Sequence, residues 1–140
     1  MKQKIKILIM GLPGAGKTTL AKALHGIIDS VWINADQVRK NANDWDFSAE
    51  GRQRQAKRMK ELADKALKEN KNVIVDFICP TPQTRNDFNA DFVIWMDTIK
   101  EGRFEDTNQM FIKPNKYDYR VTEKSAELIA IQIAEKIKGM

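Results

Sequence analysis

Gly11, Gly16, Lys17 and Thr18 fall into the pattern G-x-x-x-x-G-K-[ST]. The spacing has a physical reason. Glycines let the backbone wrap closely around an anion and turn its N–H groups inward. A helix that follows directly presents its positive end to the same anion. Gly14, Ala15 and Thr19 complete the cradle. Lys17 is placed to bridge β- and γ-phosphates, and the Thr18 hydroxyl to hold magnesium. The chemistry this motif predicts is a grip on the triphosphate tail of ATP.

Other residues of the right type stand further along. Asp36, in "INADQVR", suits a magnesium-bound water or the proton of an attacking hydroxyl, the favoured reading; the alternative is a helix N-cap. Asp76 ends the apolar run "VIVD", the arrangement in which a strand-end carboxylate reaches a metal. Thr18 and Asp76 are therefore the metal candidates. Arg39 and Arg52 are candidates for a planar clamp on an anionic group, whereas Arg54 and Lys57 read as a solvated basic face. Phe47, just before Ser48, serves either as a hydrophobic staple or as a stacking surface for a base. The segment "RFEDTNQMF" from Arg103 to Phe111 lacks clean periodicity. It reads as a lid over about 100–114, with Arg103 reaching the transferring phosphoryl group, or as a plain surface connection. His25, Trp32 and Trp95 read as surface or core residues rather than ligands.

These residues need strands to carry them and helices to cover the strands. Ile5–Met10, Val31–Ile33, "NVIVDF", "DFVIWMD" and Tyr119–Val121 read as five short strands. Lys17 to about Gly26 reads as a helix, and Ser48 as the N-cap of a long one reaching about Asn70. In that long helix Met59, Leu62, Ala63, Ala66 and Leu67 form the apolar stripe. Thr81 with Pro82 reads as an N-cap followed by proline in a first turn. Thr122–Lys138 closes the chain as a helix. Strands alternating with helices imply an α/β fold with a mainly parallel sheet covered on both faces. Ligands then gather beyond the carboxyl ends of the strands, where Gly11, Asn34–Asp36, Asp76–Cys79 and Asp97 fall.

The 140 residues are enough for one domain, 1–140, with a real core. Hydrophobic residues at 42% and charged residues at 31% exclude a disordered chain. The formal charge of +5 favours anionic partners. The partner expected is a small nucleotide rather than nucleic acid or a membrane. Cys79 is the one cysteine and His25 the one histidine, which excludes a disulfide framework and a Cys/His zinc pattern and fits a reducing cytoplasm. Lys2, Lys4 and Lys6 before "ILIMGLP" imitate a signal peptide, but the apolar run is too short for one.

Together "GLPGAGKTTLA", "NADQVR", "DFSAEGRQRQAKR", "FICPTPQTR", "VIWMDT" and "MFIKP" resemble the adenylyl-sulfate kinase family, in the family's order. The resemblance implies a three-layer α/β/α P-loop NTPase fold. It also implies transfer of the γ-phosphate of ATP, with magnesium, to the ribose 3′-hydroxyl of adenylyl sulfate. It matches Asp36 to the family's acid beside the acceptor, Arg39 and Arg52 to substrate-holding arginines, and Phe47 to an aromatic against adenine. Ile78 and Cys79 match a stretch that contacts substrate through its backbone, and Phe111 matches a second aromatic in the lid. A homodimer is also implied. Five positions depart from the family pattern: Asn34 and Ala35 replace Asp-Gly, Gln55 replaces an asparagine, Cys79 a serine, and Asp76 a small residue. These departures keep open another hydroxyl acceptor (a nucleoside, a sugar or a nucleic-acid 5′-hydroxyl) and a non-catalytic nucleotide-binding module.

Overall fold

The computed structural model describes residues 3–102 and 105–140. Arg103, the expected phosphoryl-contacting residue, and Phe104 lie outside them.

Strand β1 (Lys6–Gly11) is buried along its whole length, as a continuous apolar run between two helical layers must be. Around it lie β2 (Ser30–Asn34), β3 (Asn72–Asp76), β4 (Phe92–Met96) and β5 (Tyr119–Val121), in the order β2-β3-β1-β4-β5. All four ladders are parallel, so the sheet is wholly rather than mainly parallel.

Alternation along β1 divides the core. Ile7 and Ile9 face α1 (Lys17–His25) and α6 (Ala126–Lys138), meeting Leu20, Ala21, Leu24, Ile129 and Ile133. Leu8 and Met10 face the opposite layer. That layer is α2 (Ala35–Ala42), α3 (Ala49–Lys68) and α4 (Pro82–Phe88), which contribute Val38, Met59, Ala63 and Phe88. Lys6 is buried on this second face. Its ammonium donates to Asp64 of α3 at 2.7 Å and lies 4.7 Å from the Phe88 ring centroid, so the charge is paired.

The caps explain the helix starts. Ser48 Oγ accepts from Gly51 N, and Thr81 Oγ1 accepts from Thr84 N with Pro82 in the first turn. Both were expected. Three details differ from expectation. The N-cap of α2 is Asn34, whose side chain accepts from Gln37 N, and Asp36 sits inside the first turn. The last helix begins at Ala126 rather than Thr122. Leu62 is 42% exposed, because the buried stripe of α3 runs through Gly51, Gln55, Met59, Ala63 and Ala66. The segment read as a lid contains a short helix, α5 (Glu105–Met110). Among the described residues no helix is long and apolar enough to cross a membrane.

Candidate active site: a phosphate cradle facing an arginine wall

β1 ends at Gly11, where a Cβ would stand 2.8 Å from the carbonyl oxygen of Met96 on β4. Only glycine lets the chain leave the sheet there. Gly14 and Gly16 hold φ at 88° and 97°, left-handed values that suit glycine. Three carbonyls of the loop are taken by donors: Leu12 by Lys17 Nζ at 2.9 Å, Gly14 by Lys124 Nζ at 3.0 Å, and Ala15 by Thr98 Oγ1 at 2.7 Å. Gly16 gives α1 no side-chain cap. Lys17, Thr18 and Thr19 form the first turn of α1, the positive end of the helix, and line a cleft. Gly14 and Gly16 line it as well. Gly11 and Ala15 are buried behind the loop and shape it.

Parallel pairing of β2 with β3 sets Asn34 opposite Asp76. Asp76 is 2% exposed. Trp32 Nε1 donates to its Oδ2 at 2.6 Å and Asn34 Nδ2 to its Oδ1 at 3.0 Å. Thr18 Oγ1 lies 3.5 Å from Oδ1, and Asn34 Nδ2 also donates to Thr18 Oγ1 at 3.3 Å. Burial raises the Asp76 carboxyl above its ordinary range, opposed by the Trp32 and Asn34 hydrogen bonds and the nearby Lys17 charge. One hydroxyl and one carboxylate, both hard oxygens beside a phosphate cradle, are a donor set that suits magnesium, which keeps several waters and shares phosphate oxygens. Trp32 was expected only in the core. Its role in this network could be found only from strand register, which local spacing does not give. Two departures from the resemblance, Asn34 and Asp76, prove to be neighbours across one ladder.

The opposite wall is built by α2, the following loop and α3. Asp36 is exposed on the cleft in the first turn of α2. Arg39 is 5% exposed, and its Nη1 donates to the carbonyls of Asp44 at 2.9 Å and Asp46 at 3.2 Å. Its guanidinium stacks 4.3 Å from the Phe47 ring centroid, while Arg52 lies 5.8 Å from that ring. Burial lowers the Arg39 pKa from its ordinary value. Arg54 is not merely solvated: it bonds Asp44 and Asp46 together, and Arg58 reaches Asp44 at 3.0 Å. Hydrogen bonding by Arg54 first, then the Asp46 amide and Arg58, holds the Asp44 carboxyl well below the usual range. The loop carrying Trp45 and Phe47 is thereby fixed, with the two rings 50% and 51% exposed on the cleft. Trp45 was missed in the sequence.

Gln55 is buried between the helices. Its amide nitrogen donates to Ala35 O at 2.9 Å, and its oxygen accepts from Arg58 at 3.0 Å. Ile78 and Cys79 line the cleft floor; Cys79 is buried at φ 48° and its thiol is pushed up to about 12 by burial. Arg52 Nη2 donates to Thr107 Oγ1 at 3.2 Å, tying α3 to α5. Phe111 does not line the cleft. It packs on the core beneath Arg85, whose guanidinium donates to Cys79 O, Pro80 O and Ile112 O and so ties the chain after α5 to the loop before α4. Thr107 and Met110 face the cleft in its place. The cleft encloses about 1650 Å³, beyond the range of a single small-ligand pocket.

A parallel five-stranded sheet, a glycine cradle at the first strand's end and an acid on the neighbouring strand together define a P-loop kinase-like domain. The chain belongs to the family described as AAA domain, which matches residues 7–93. No curated protein matches it significantly. Among solved structures it is similar to the Mycobacterium tuberculosis APS kinase CysC in complex with AMPPNP and APS. That likeness has a TM-score of 0.78 and 18% identity over 97% of this chain and 98% of that one. It is similar to APE1195, with TM-score 0.85 and 19% identity over 100% and 98% of the two chains. It is also similar to the Acinetobacter baumannii shikimate kinase in complex with shikimate, with TM-score 0.65 and 17% identity over 97% and 94%. A likeness shared by kinases of such different acceptors carries the fold and not the acceptor.

Proposed function

We propose that the protein is an ATP-dependent kinase that moves the γ-phosphoryl group to a hydroxyl of a small anionic acceptor, the 3′-hydroxyl of adenylyl sulfate. One observation carries the reading: the N-terminus of α1 and the Asp36–Arg39–Phe47–Arg52 wall share a single cleft. The γ-phosphorus leaves the β,γ-bridging oxygen and bonds to the acceptor oxygen in line, so the catalytic work is positioning and charge stabilisation. Amides of the cradle and Lys17 hold the phosphates. Asp36 orients the attacking hydroxyl and takes its proton. Arg52 and Arg39 face the acceptor's anionic end, and Phe47 stacks on its base. Magnesium, when bound, neutralises phosphate charge, and Thr18 and Asp76 would hold it.

A second reading keeps the chemistry and changes the acceptor to a nucleoside, sugar or nucleic-acid 5′-hydroxyl. It is favoured by Gln55, which lines the cleft with its amide already hydrogen-bonded to Ala35 O and Arg58. A panel of acceptors with γ-labelled ATP separates the two. Label on adenylyl sulfate supports the first; label only on another hydroxyl compound supports the second. Transfer to none leaves a non-catalytic nucleotide-binding module.

A further inference from the structure

Side chains alternate along a strand, so Trp32 and Asn34 of β2 point to one face, as do their register partners Ile74 and Asp76 of β3. That face carries α1 and therefore Thr18. Trp32 lies one pleat behind Asn34, and its indole reaches forward to Asp76 Oδ2 at 2.6 Å. Asn34 has two jobs. Its carbonyl oxygen accepts from Gln37 N at 3.0 Å and starts the helix that bears Asp36 and Arg39. Its amide meets Asp76 Oδ1 and Thr18 Oγ1.

A carboxylate turns about a broad, roughly two-fold torsion. Asp76 is almost wholly buried, so bulk water does little to steer it. With Oδ2 on the indole, Oδ1 is the oxygen turned to Thr18. We propose that Trp32 is a positioning residue for the metal–nucleotide site, its indole N–H fixing the Asp76 carboxylate with Oδ1 toward the Thr18 hydroxyl. Asn34 completes the arrangement and joins it to the acceptor helix. The inference rests on reading the cleft as a site for a nucleotide and a divalent cation.

Packing alone does not require the indole nitrogen, because phenylalanine presents a ring to the same neighbours. Trp32→Phe therefore separates the two roles. The probes are Mn2+ and ADP, with free Mn2+ followed by paramagnetic resonance and ADP affinity in EDTA followed by calorimetry. Partners that orient a metal ligand change metal affinity about 10- to 100-fold when lost. Trp32→Phe should weaken Mn2+ binding to the ADP complex by about tenfold and leave metal-free ADP affinity unchanged. Unchanged Mn2+ affinity, or an equal loss of metal-free ADP affinity, would overturn the proposal. Should the variant fail to fold, the unsubstituted protein still decides. The Trp32 indole N–H resonance, assigned by comparison with Trp45→Phe and Trp95→Phe, should lie downfield of the other two and move when Mg2+ is added to the ADP complex. A Trp32 signal that does neither overturns the proposal. No Mn2+–ADP binding by the unsubstituted protein, with ADP bound in EDTA, would sink the metal role alone; no ADP binding at all would sink the nucleotide reading beneath it.

Discussion

Gly51→Ala sets two physical effects against each other. Gly51 lies in the first turn of α3, beneath the loop that carries Phe47. A methyl group there would stand 2.6 Å from Asp46 Cγ and 2.7 Å from its carbonyl carbon, and closer still to the carbonyl oxygen. Carbon atoms settle at roughly 3.5–4.0 Å, so Asp46 must retreat by about 1 Å. Its carbonyl is already 3.2 Å from Arg39 Nη1, and that bond would be lost. A hydrogen bond to a charged group contributes about 1.5–3 kcal/mol. Alanine's better helix propensity offsets about 1 kcal/mol of this. The net expectation is a loss of about 0.5–2 kcal/mol, with Phe47 displaced alongside its neighbour. Urea unfolding should show the lower midpoint, and steady-state kinetics a raised acceptor KM with ATP KM unchanged. A variant that is more stable by about 1 kcal/mol, as propensity alone dictates, with acceptor KM intact, would refute the idea of a fixed acceptor wall.

Asp36→Asn should depress kcat by at least about tenfold if the carboxylate acts in the transition state; wild-type kcat would leave Asp36 with no role beyond the first turn of α2. Arg52→Ala should raise the acceptor KM more than the ATP KM, and an equal effect on both would remove its assignment. Cys79 should couple stability to alkaline pH. Its thiol sits near 12 when folded against an ordinary 9.0, so between these values the unfolded chain releases a proton that the native one keeps. Stability from this group is therefore complete below about pH 9 and falls as pH rises toward 12. Chemical unfolding from pH 8 to 10.5 should lose stability less steeply in Cys79→Ala than in wild type; parallel curves would contradict the burial of that thiol.

Features set by local spacing were legible in the sequence. The cradle at Gly11–Thr18, the caps at Ser48 and Thr81, and the apolar strands followed from short-range steric and hydrogen-bonding rules. What depends on pairing between distant segments was not. Trp32 read as core because nothing near it in sequence names Asp76 as its partner, 44 residues away. Arg39 read as a clamp for an anion, but its second task, holding the carbonyls of Asp44 and Asp46, was not legible, because those partners are fixed only once the loop has turned back over α2. Phe111 read as a lid aromatic, yet Arg85 and the core hold it below the cleft. Asp36 read as a functional carboxylate or a helix cap, and the capping place was taken by Asn34, two residues earlier, with the strand still extended at φ −102°.

Calorimetric titration of the protein with ATP and Mg2+ tests the central claim most directly, since every proposed role depends on the triphosphate lying in the Gly11–Thr18 cradle. The expected result is saturable one-site binding that Lys17→Ala abolishes. Absence of binding, or binding that Lys17→Ala leaves untouched, would contradict it.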